Sequence, residues 1–351
     1  MTGRPQTLVS RYEGVVSDLD GVVYRGAAAV PHAVEALTMA RARVGVVYAT
    51  NNASRTVSSI SAQMASVGLV VRPEEVVTSA LAGAALLADE LPAGATVLAV
   101  GGDGVVEALR SAGFHPVRTA QPGLAAVLQG YGGNVTANDL GEASLAVAAG
   151  ARWVATNTDR TLPIDRGIIP GNGTLVAAVA AATGLEPVVV GKPYPPLYAL
   201  SARVLGTALA RTLAIGDRLE TDIAGAHAAG MDSVWVLTGV HGVTDLARST
   251  ATPTYAVLAL DELHQPYSAV ERSSERWRYE HVQVGRSVDE LVVELDSLEP
   301  ESAEARRGVL RAGVAMVCSL RDSGLDPTLL VPIAAALDAW AGRRASGPGG
   351  Q

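Results

Sequence analysis

Asp18 and Asp20 stand two residues apart in "DLDG", directly after the apolar pair Val15-Val16. In an extended chain, residues i and i+2 share a side, so both carboxylates approach one face. Gly21 permits a tight turn beyond them. Paired carboxylates in this setting suit a hard cation such as Mg²⁺, which takes oxygen ligands. They also suit nucleophilic catalysis, one Asp attacking phosphorus and the other acting as acid and base. A lone Asp-x-Asp is more often a pair of turn or capping residues, so the weight falls on what accompanies it.

Three further clusters do. "ATNN" offers the Thr50 hydroxyl and neighbouring backbone N–H groups, including that of Asn51, as donors for phosphate oxygens. "GDRLETD" supplies Asp217 after Gly216, with Asp222 five residues on, expected in the first turn of a helix. "GKP" holds Lys192, the one lysine among 27 Lys and Arg residues. By itself it reads as a solvated loop lysine, so its weight too comes from its company.

The elements that must position these residues are short β-branched runs alternating with Ala-rich, helix-like segments. The runs are Val15-Val16, Val44 to Tyr48, Val76-Val77, Val188 to Val190, Leu213 to Ile215 and Val234 to Leu237. Runs of this kind read as buried parallel strands of a doubly wound α/β sheet. Four of them end in the four polar clusters, and ligands of open α/β sheets bind beyond the carboxyl ends of strands. One shared site is expected. Between the clusters, "TVLAVGG", "AAVLQG" and "RWVATN" mark a second set of strands, an inserted α/β domain over residues 81–186. The core is then expected over residues 1–80 and 187–260. A composition shift follows: "RWRYEHVQVG" and "LVVELD" read as strands, "AEARRGVLRAGVAMVCSLRDSG" as a helix, and Gly/Ser-rich residues close the chain. Residues 261–351 are therefore expected to form a small α+β extension.

Composition excludes several function classes. At 351 residues the chain has room for more than one core, and 48% hydrophobic with 18% charged residues describes a globular protein. A net charge of −8 without a basic run argues against nucleic acid. Cys318 is the only cysteine, so no intrachain disulfide or cysteine metal cluster can form. The sequence shows neither a signal peptide nor an apolar stretch of the ~20 residues a membrane helix needs. A cytoplasmic protein with no membrane partner is expected, with homo-oligomerisation left open.

Taken together, "DLDGV", Thr50, Lys192 and "GDRLETD" resemble the four motifs of the haloacid dehalogenase (HAD) superfamily of aspartyl-phosphate phosphatases. "TNN" followed by "SRT", and "ATNTDRTLP" within the insert, resemble the branch with a large α/β cap. The resemblance covers roughly residues 10–260 and leaves out the C-terminal segment. It implies a Rossmann-like core, a Mg²⁺ cofactor and phosphate monoester hydrolysis. By position it implies that Asp18 is the nucleophile and a metal ligand. Asp20 is the acid and base, with its backbone carbonyl on the metal. Thr50 and the Asn51 amide hold phosphate oxygens, and Lys192 neutralises nucleophile and phosphoryl group. Asp217 ligates the metal, and Asp222 supports Lys192 or the metal shell. The substrate implied is a small polyol or acid phosphate, glycerol 3-phosphate (a metabolite of glycerolipid metabolism) or 2-phosphoglycolate. The alternatives are a nucleotide or pyridoxal 5′-phosphate phosphatase, a phosphomutase, or a regulatory binding protein on a phosphatase scaffold.

Within the cap, Asn157, Asp159 and Arg160 are candidate specificity residues. Where many relatives carry an Asp-Arg pair and a tyrosine, this chain has Gly132, Gly133 and Ala137, which shortens the side chains there. "AVGGDGVVEALRSAG" imitates a dinucleotide fingerprint but lacks its third glycine, and "GKP" lacks the Ser/Thr of a Walker loop. His227 and His241 are expected to be ordinary helix and loop residues. The C-terminal segment, strands followed by a helix, lacks a glycine-rich pyrophosphate loop, and no second activity is expected of it.

Overall fold

A computed structural model describes residues 6–164, 166–287 and 290–342. The Gly/Ser-rich closing residues lie outside these. By compactness the chain divides into two units, one of Met1–Val46 with Ala210–Gln351, the other Val47–Leu209.

In the first unit, parallel strands lie side by side in the order Tyr255–Val257, Asp232–Val236, Thr212–Gly216, Gly14–Ser17. Val15, Val16, Leu213, Ile215, Val234 and Trp235 are all buried, as expected for parallel strands covered on both faces. Parallel neighbours require crossovers, which here include the helices Ala224–Ala228 and Val243–Leu246. The register Ser17↔Ile215, continued by Asp18 N–H donating to Ile215 O at 2.8 Å, aligns the ends of the two strands that lead into Asp18 and Asp217.

The C-terminal α+β segment belongs to this same compact unit. Its antiparallel strands Glu271–Ser273, Arg276–Tyr279, Val282–Ser287 and Glu290–Leu295 pair in sequence order. The helix Ala303–Asp322 packs on this sheet, where a Cβ on Gly308 would collide with Val282. A further helix, Pro327–Trp340, was not legible in advance. It starts with Pro327 at its first turn, but Pro332 and an apolar run obscure its period. Buried Arg311 ties the helix Ala303–Asp322 to the rest of the segment: it donates to Glu262 Oε2 at 2.6 Å and to the Tyr279 hydroxyl, and stacks 4.1 Å over Tyr267. Burial pushes the Glu262 carboxyl up from its ordinary value, against the pull of Arg311, and raises the Cys318 thiol to about 11. Cys318 is therefore a packing residue.

In the second unit, Gly45–Thr50, which enters it at Val47, pairs in parallel with Val76–Thr78. A five-stranded parallel sheet follows, ordered Val188–Val189, Arg152–Ala155, Ala126–Gln129, Thr96–Val100, His115–Val117. Its core gathers Leu98, Val127, Val147, Trp153 and Val179. "TVLAVGG", "AAVLQG" and "RWVATN" are thus strands, as read. The run Val188 to Val190 requires a correction. It forms a two-residue strand at the edge of this sheet, half-buried, rather than a strand of the sheet that bears Asp18. Such a short run pairs where its neighbours place it, which composition does not reveal. Among the described residues, no helix is long and apolar enough to cross a membrane.

Candidate active site

Three carboxylates converge in the first unit. Asp18, Asp217 and Asp222 each present an oxygen, all within 4.8 Å of one another. Asp18 is half-buried, while Asp217 and Asp222 are 1% and 2% exposed. Glycine backbone shapes this cradle. Gly21 sits at φ +83°, and a Cβ there or on Gly239 would run into the Asp217 carboxylate; one on Gly216 would run into Asp222. Asp217 accepts from the Val240 N–H at 3.0 Å, and its carbonyl accepts from the Trp235 indole at 3.1 Å. Asp222 lies in a π-helical turn, Leu219–Ile223, instead of an α-helical first turn, and accepts from the Arg218 N–H at 3.1 Å. Asp20 is exposed, one turn residue before Gly21. Three hard, anionic oxygen donors in a space that glycine keeps open fit a small divalent cation such as Mg²⁺.

The second unit gathers a set of hydrogen-bond donors. Lys192 is only 4% exposed, and its ammonium donates to Ala49 O at 3.2 Å. Its backbone is gripped by Asn51, whose side chain accepts from Lys192 N–H at 2.8 Å and donates to Lys192 O at 2.9 Å. Two segments 141 residues apart are thereby held as one. Buried Thr50 accepts from the Asn52 N–H at 3.1 Å. Asn51 O in turn accepts from Ser79 Oγ at 2.7 Å and Asn157 Nδ2 at 2.8 Å. The donors are therefore fixed before any anion arrives, the arrangement that makes electrostatic stabilisation effective.

The three candidate specificity residues part company. Asn157 is buried and positions Asn51; Asp159 is half-buried, 3.4 Å from Asn51 Nδ2; Arg160 is exposed. Gly132 and Gly133 line a cavity of about 510 Å³ with Ser54, Arg118 and Asp139. Only Gly133 shortens a side chain into open space. Gly132 is required because a Cβ would meet the Gly101 and Gly102 backbone at 2.7 Å. The apparent dinucleotide fingerprint has the same cause: Gly102 and Gly104 pack against the backbone of residues 53–55, just after Thr50 and Asn51.

One segment beside the acids was read only as an ordinary loop, through His241. Thr238 to His241 follow the strand Asp232–Val236 and touch both acidic stretches. Thr238 Oγ1 donates to Gly21 O at 2.8 Å, Val240 meets Asp217, and His241 Nδ1 accepts from Leu219 N–H at 3.0 Å. His227 remains an ordinary helix residue. The signal was available, since "LTGVHG" also follows the end of a buried strand.

With this geometry in place, the chain can be compared with known proteins. A haloacid dehalogenase-like hydrolase model matches residues 15–115, and a HAD-hydrolase-like model matches residues 189–263. The sequence is 42% identical over 262 residues to D-glycerol 3-phosphate phosphatase of Mycobacterium tuberculosis, covering 74% of this chain and 73% of that protein. It is 33% identical to the acid sugar phosphatase of Staphylococcus aureus, over 72% of this chain and 97% of that one. Among solved structures, glycerol phosphate phosphatase from M. tuberculosis in complex with magnesium superposes with a TM-score of 0.78 at 35% identity, covering 92% of this chain and 94% of that one. The p-nitrophenyl phosphatase from Archaeoglobus fulgidus gives 0.68 at 30% identity, over 72% and 98%. Coverage of 92% exceeds what residues 10–260 supply, so the C-terminal segment, left outside the resemblance, has a counterpart in the mycobacterial structure. Motifs, fold and matches lead to one assignment: the chain belongs to the haloacid dehalogenase-like hydrolases.

Proposed function

We propose that the protein is a Mg²⁺-dependent phosphomonoesterase acting through an aspartyl phosphate on a small phosphate ester, best glycerol 3-phosphate, with 2-phosphoglycolate next. The observation that carries this is the convergence of Asp18, Asp217 and Asp222 in a glycine-lined cradle. The relatives named as D-glycerol 3-phosphate phosphatase and acid sugar phosphatase support the substrate class.

An Asp18 carboxylate oxygen attacks phosphorus, and the P–O bond to the alcohol breaks. The Asp20 carboxyl gives its proton to the departing alkoxide. The resulting Asp20 carboxylate takes a proton from water, whose oxygen attacks phosphorus, and the bond to Asp18 breaks to release inorganic phosphate. Thr50, the Asn51 amide and Lys192 hold phosphoryl oxygens, and the Lys192 ammonium offsets negative charge. Asp18, Asp217 and the Asp20 carbonyl would hold Mg²⁺, with Asp222 in support; when bound, it supplies charge neutralisation at the phosphoryl group.

We assign residues 1–80 and 187–260 to the catalytic core, 81–186 to a substrate-selecting cap with Asn157, Asp159 and Arg160 its specificity residues, and 261–351 to the extension. Small phosphorylated metabolites are its partners and the cytoplasm its location.

Phosphate release from a panel of monoesters, with Mg²⁺ and with a chelator, tests the proposal. Wild-type protein is expected to turn over only with the metal. Asp18→Asn should abolish turnover with the circular-dichroism spectrum intact, and Asp20→Asn should lose at least the ~10²–10⁴ of acid–base catalysis. Native turnover in Asp18→Asn would refute the aspartyl-phosphate route, and a silent wild type would favour a binding protein.

A further inference from the structure

Phosphatase chemistry leaves the C-terminal segment without a task, yet a short series of hydrogen bonds links it to the acid cluster. The link begins at Thr238 to His241, which contact Gly21, Asp217 and Leu219 in turn. His241 also lies 3.1 Å from Glu220. Gly239 comes so close that no Cβ fits beside Asp217. These residues form no helix or strand, so the segments at either end must set their shape. One end is the buried strand Asp232–Val236. The other is the helix Val243–Leu246, a single turn.

One turn of helix is unstable by itself, because nucleation costs more than its few hydrogen bonds return. Here its open N-terminal groups are met from the far end of the chain. Asp338, 8% exposed on the helix Pro327–Trp340, accepts from Val243 N–H at 2.8 Å, Thr244 N–H at 3.0 Å and the Thr244 hydroxyl at 2.6 Å. A carboxylate at a helix start satisfies orphan donors and complements the dipole. Gly242 is needed for the approach, since its Cβ would stand 2.5 Å from Asp338 Oδ1. Beyond the turn, Arg321 donates to Ser249 O at 2.8 Å, Ala251 O at 2.9 Å and Thr252 Oγ1 at 2.6 Å. Both flanks of the turn are thus held by the two C-terminal helices.

We infer that Asp338 is a positioning residue for the metal centre: by capping Val243–Leu246 it fixes the loop Thr238–His241 that orients the Asp217 carboxylate. The C-terminal extension serves the phosphatase site rather than an activity of its own. This rests on the proposal that Asp18, Asp217 and Asp222 bind Mg²⁺.

The test is Mg²⁺ titration calorimetry on the full-length protein, with thermal melts and Mg²⁺-dependent kinetics alongside. Asp338→Ala is expected to raise the Mg²⁺ dissociation constant about tenfold, the lower range for loss of an outer-shell partner. Saturating Mg²⁺ should restore most of kcat. Asp338→Asn keeps one acceptor oxygen, should fall between the two, and gives the answer if the alanine variant does not fold. Arg272→Ala removes a contact between the C-terminal sheet and Ser319 that does not reach the loop, and should leave Mg²⁺ binding unchanged. A folded Asp338→Ala, or Asp338→Asn where the alanine variant does not fold, that binds Mg²⁺ within twofold of wild type overturns the inference alone. Wild-type protein that takes up no Mg²⁺ overturns the metal-site proposal beneath it.

Discussion

Lys192 is 4% exposed in a chain that otherwise uses arginine for every cation. An exposed loop lysine would tolerate arginine. This one is enclosed, with its ammonium on Ala49 O and its backbone clasped by Asn51. A guanidinium there is both wider and unable to offer a point charge. Lys192→Arg is expected to lower turnover by ~10² or more, the scale of losing one fixed donor. It should also lower the melting temperature, because overpacking a buried site costs about 1–3 kcal/mol. Melting curves and single-substrate kinetics on the same sample separate the two effects. A variant with native turnover would reduce Lys192 to a packing residue. The proposed catalytic residues were legible because each belongs to a polar cluster that interrupts an apolar run. The Asn51–Lys192 clasp was not, since nothing in either segment refers to one 141 residues away.

At the scale of elements, most strands announced themselves through β-branched runs, while the parts that hold the acids did not. Val188–Val189 reads like its neighbours but pairs in another sheet. Gly102 and Gly104 imitate a nucleotide loop because close approach of backbone to backbone and of backbone to phosphate call for the same residue. Gly239 carries the strongest consequence. A methyl group there would displace the Asp217 carboxylate or the loop bearing Val240. Gly239→Ala should therefore raise the Mg²⁺ concentration needed for half-maximal turnover about tenfold, while substrate KM at saturating metal changes little. Gly141→Ala, on a helix with open space around its Cα, is the matched control and should be silent or slightly stabilising. An unchanged metal requirement in Gly239→Ala would mean that Asp217 does not depend on this close approach.

Across the whole molecule, one architecture serves relatives named for glycerol 3-phosphate, acid sugar phosphates and p-nitrophenyl phosphate. The fold therefore does not choose the substrate; side chains do. Family and chemistry were legible in the sequence for that reason, whereas the proposed substrate choice rests on a few groups in the second unit. The proposed specificity residues are Asn157, Asp159 and Arg160, of which Asn157 is committed to Asn51 and Arg160 is exposed. These groups recognise hydroxyls and carboxylates by hydrogen bonding, and none offers an aromatic face on which a base or pyridine ring could stack. Glycerol 3-phosphate or 2-phosphoglycolate should therefore exceed nucleoside monophosphates and pyridoxal 5′-phosphate in kcat/KM by at least about tenfold, roughly 1.4 kcal/mol of transition-state binding. Asp159→Ala and Arg160→Ala should narrow that ratio through the small substrate alone, leaving p-nitrophenyl phosphate turnover near wild type, because the chemistry at Asp18 is untouched. Asn157→Ala should narrow the ratio as well and in addition depress all substrates together, since Asn157 also holds Asn51. A panel headed by a nucleotide or by pyridoxal phosphate would overturn the substrate assignment, and equal losses on every ester in all three variants would remove Asp159 and Arg160 from specificity.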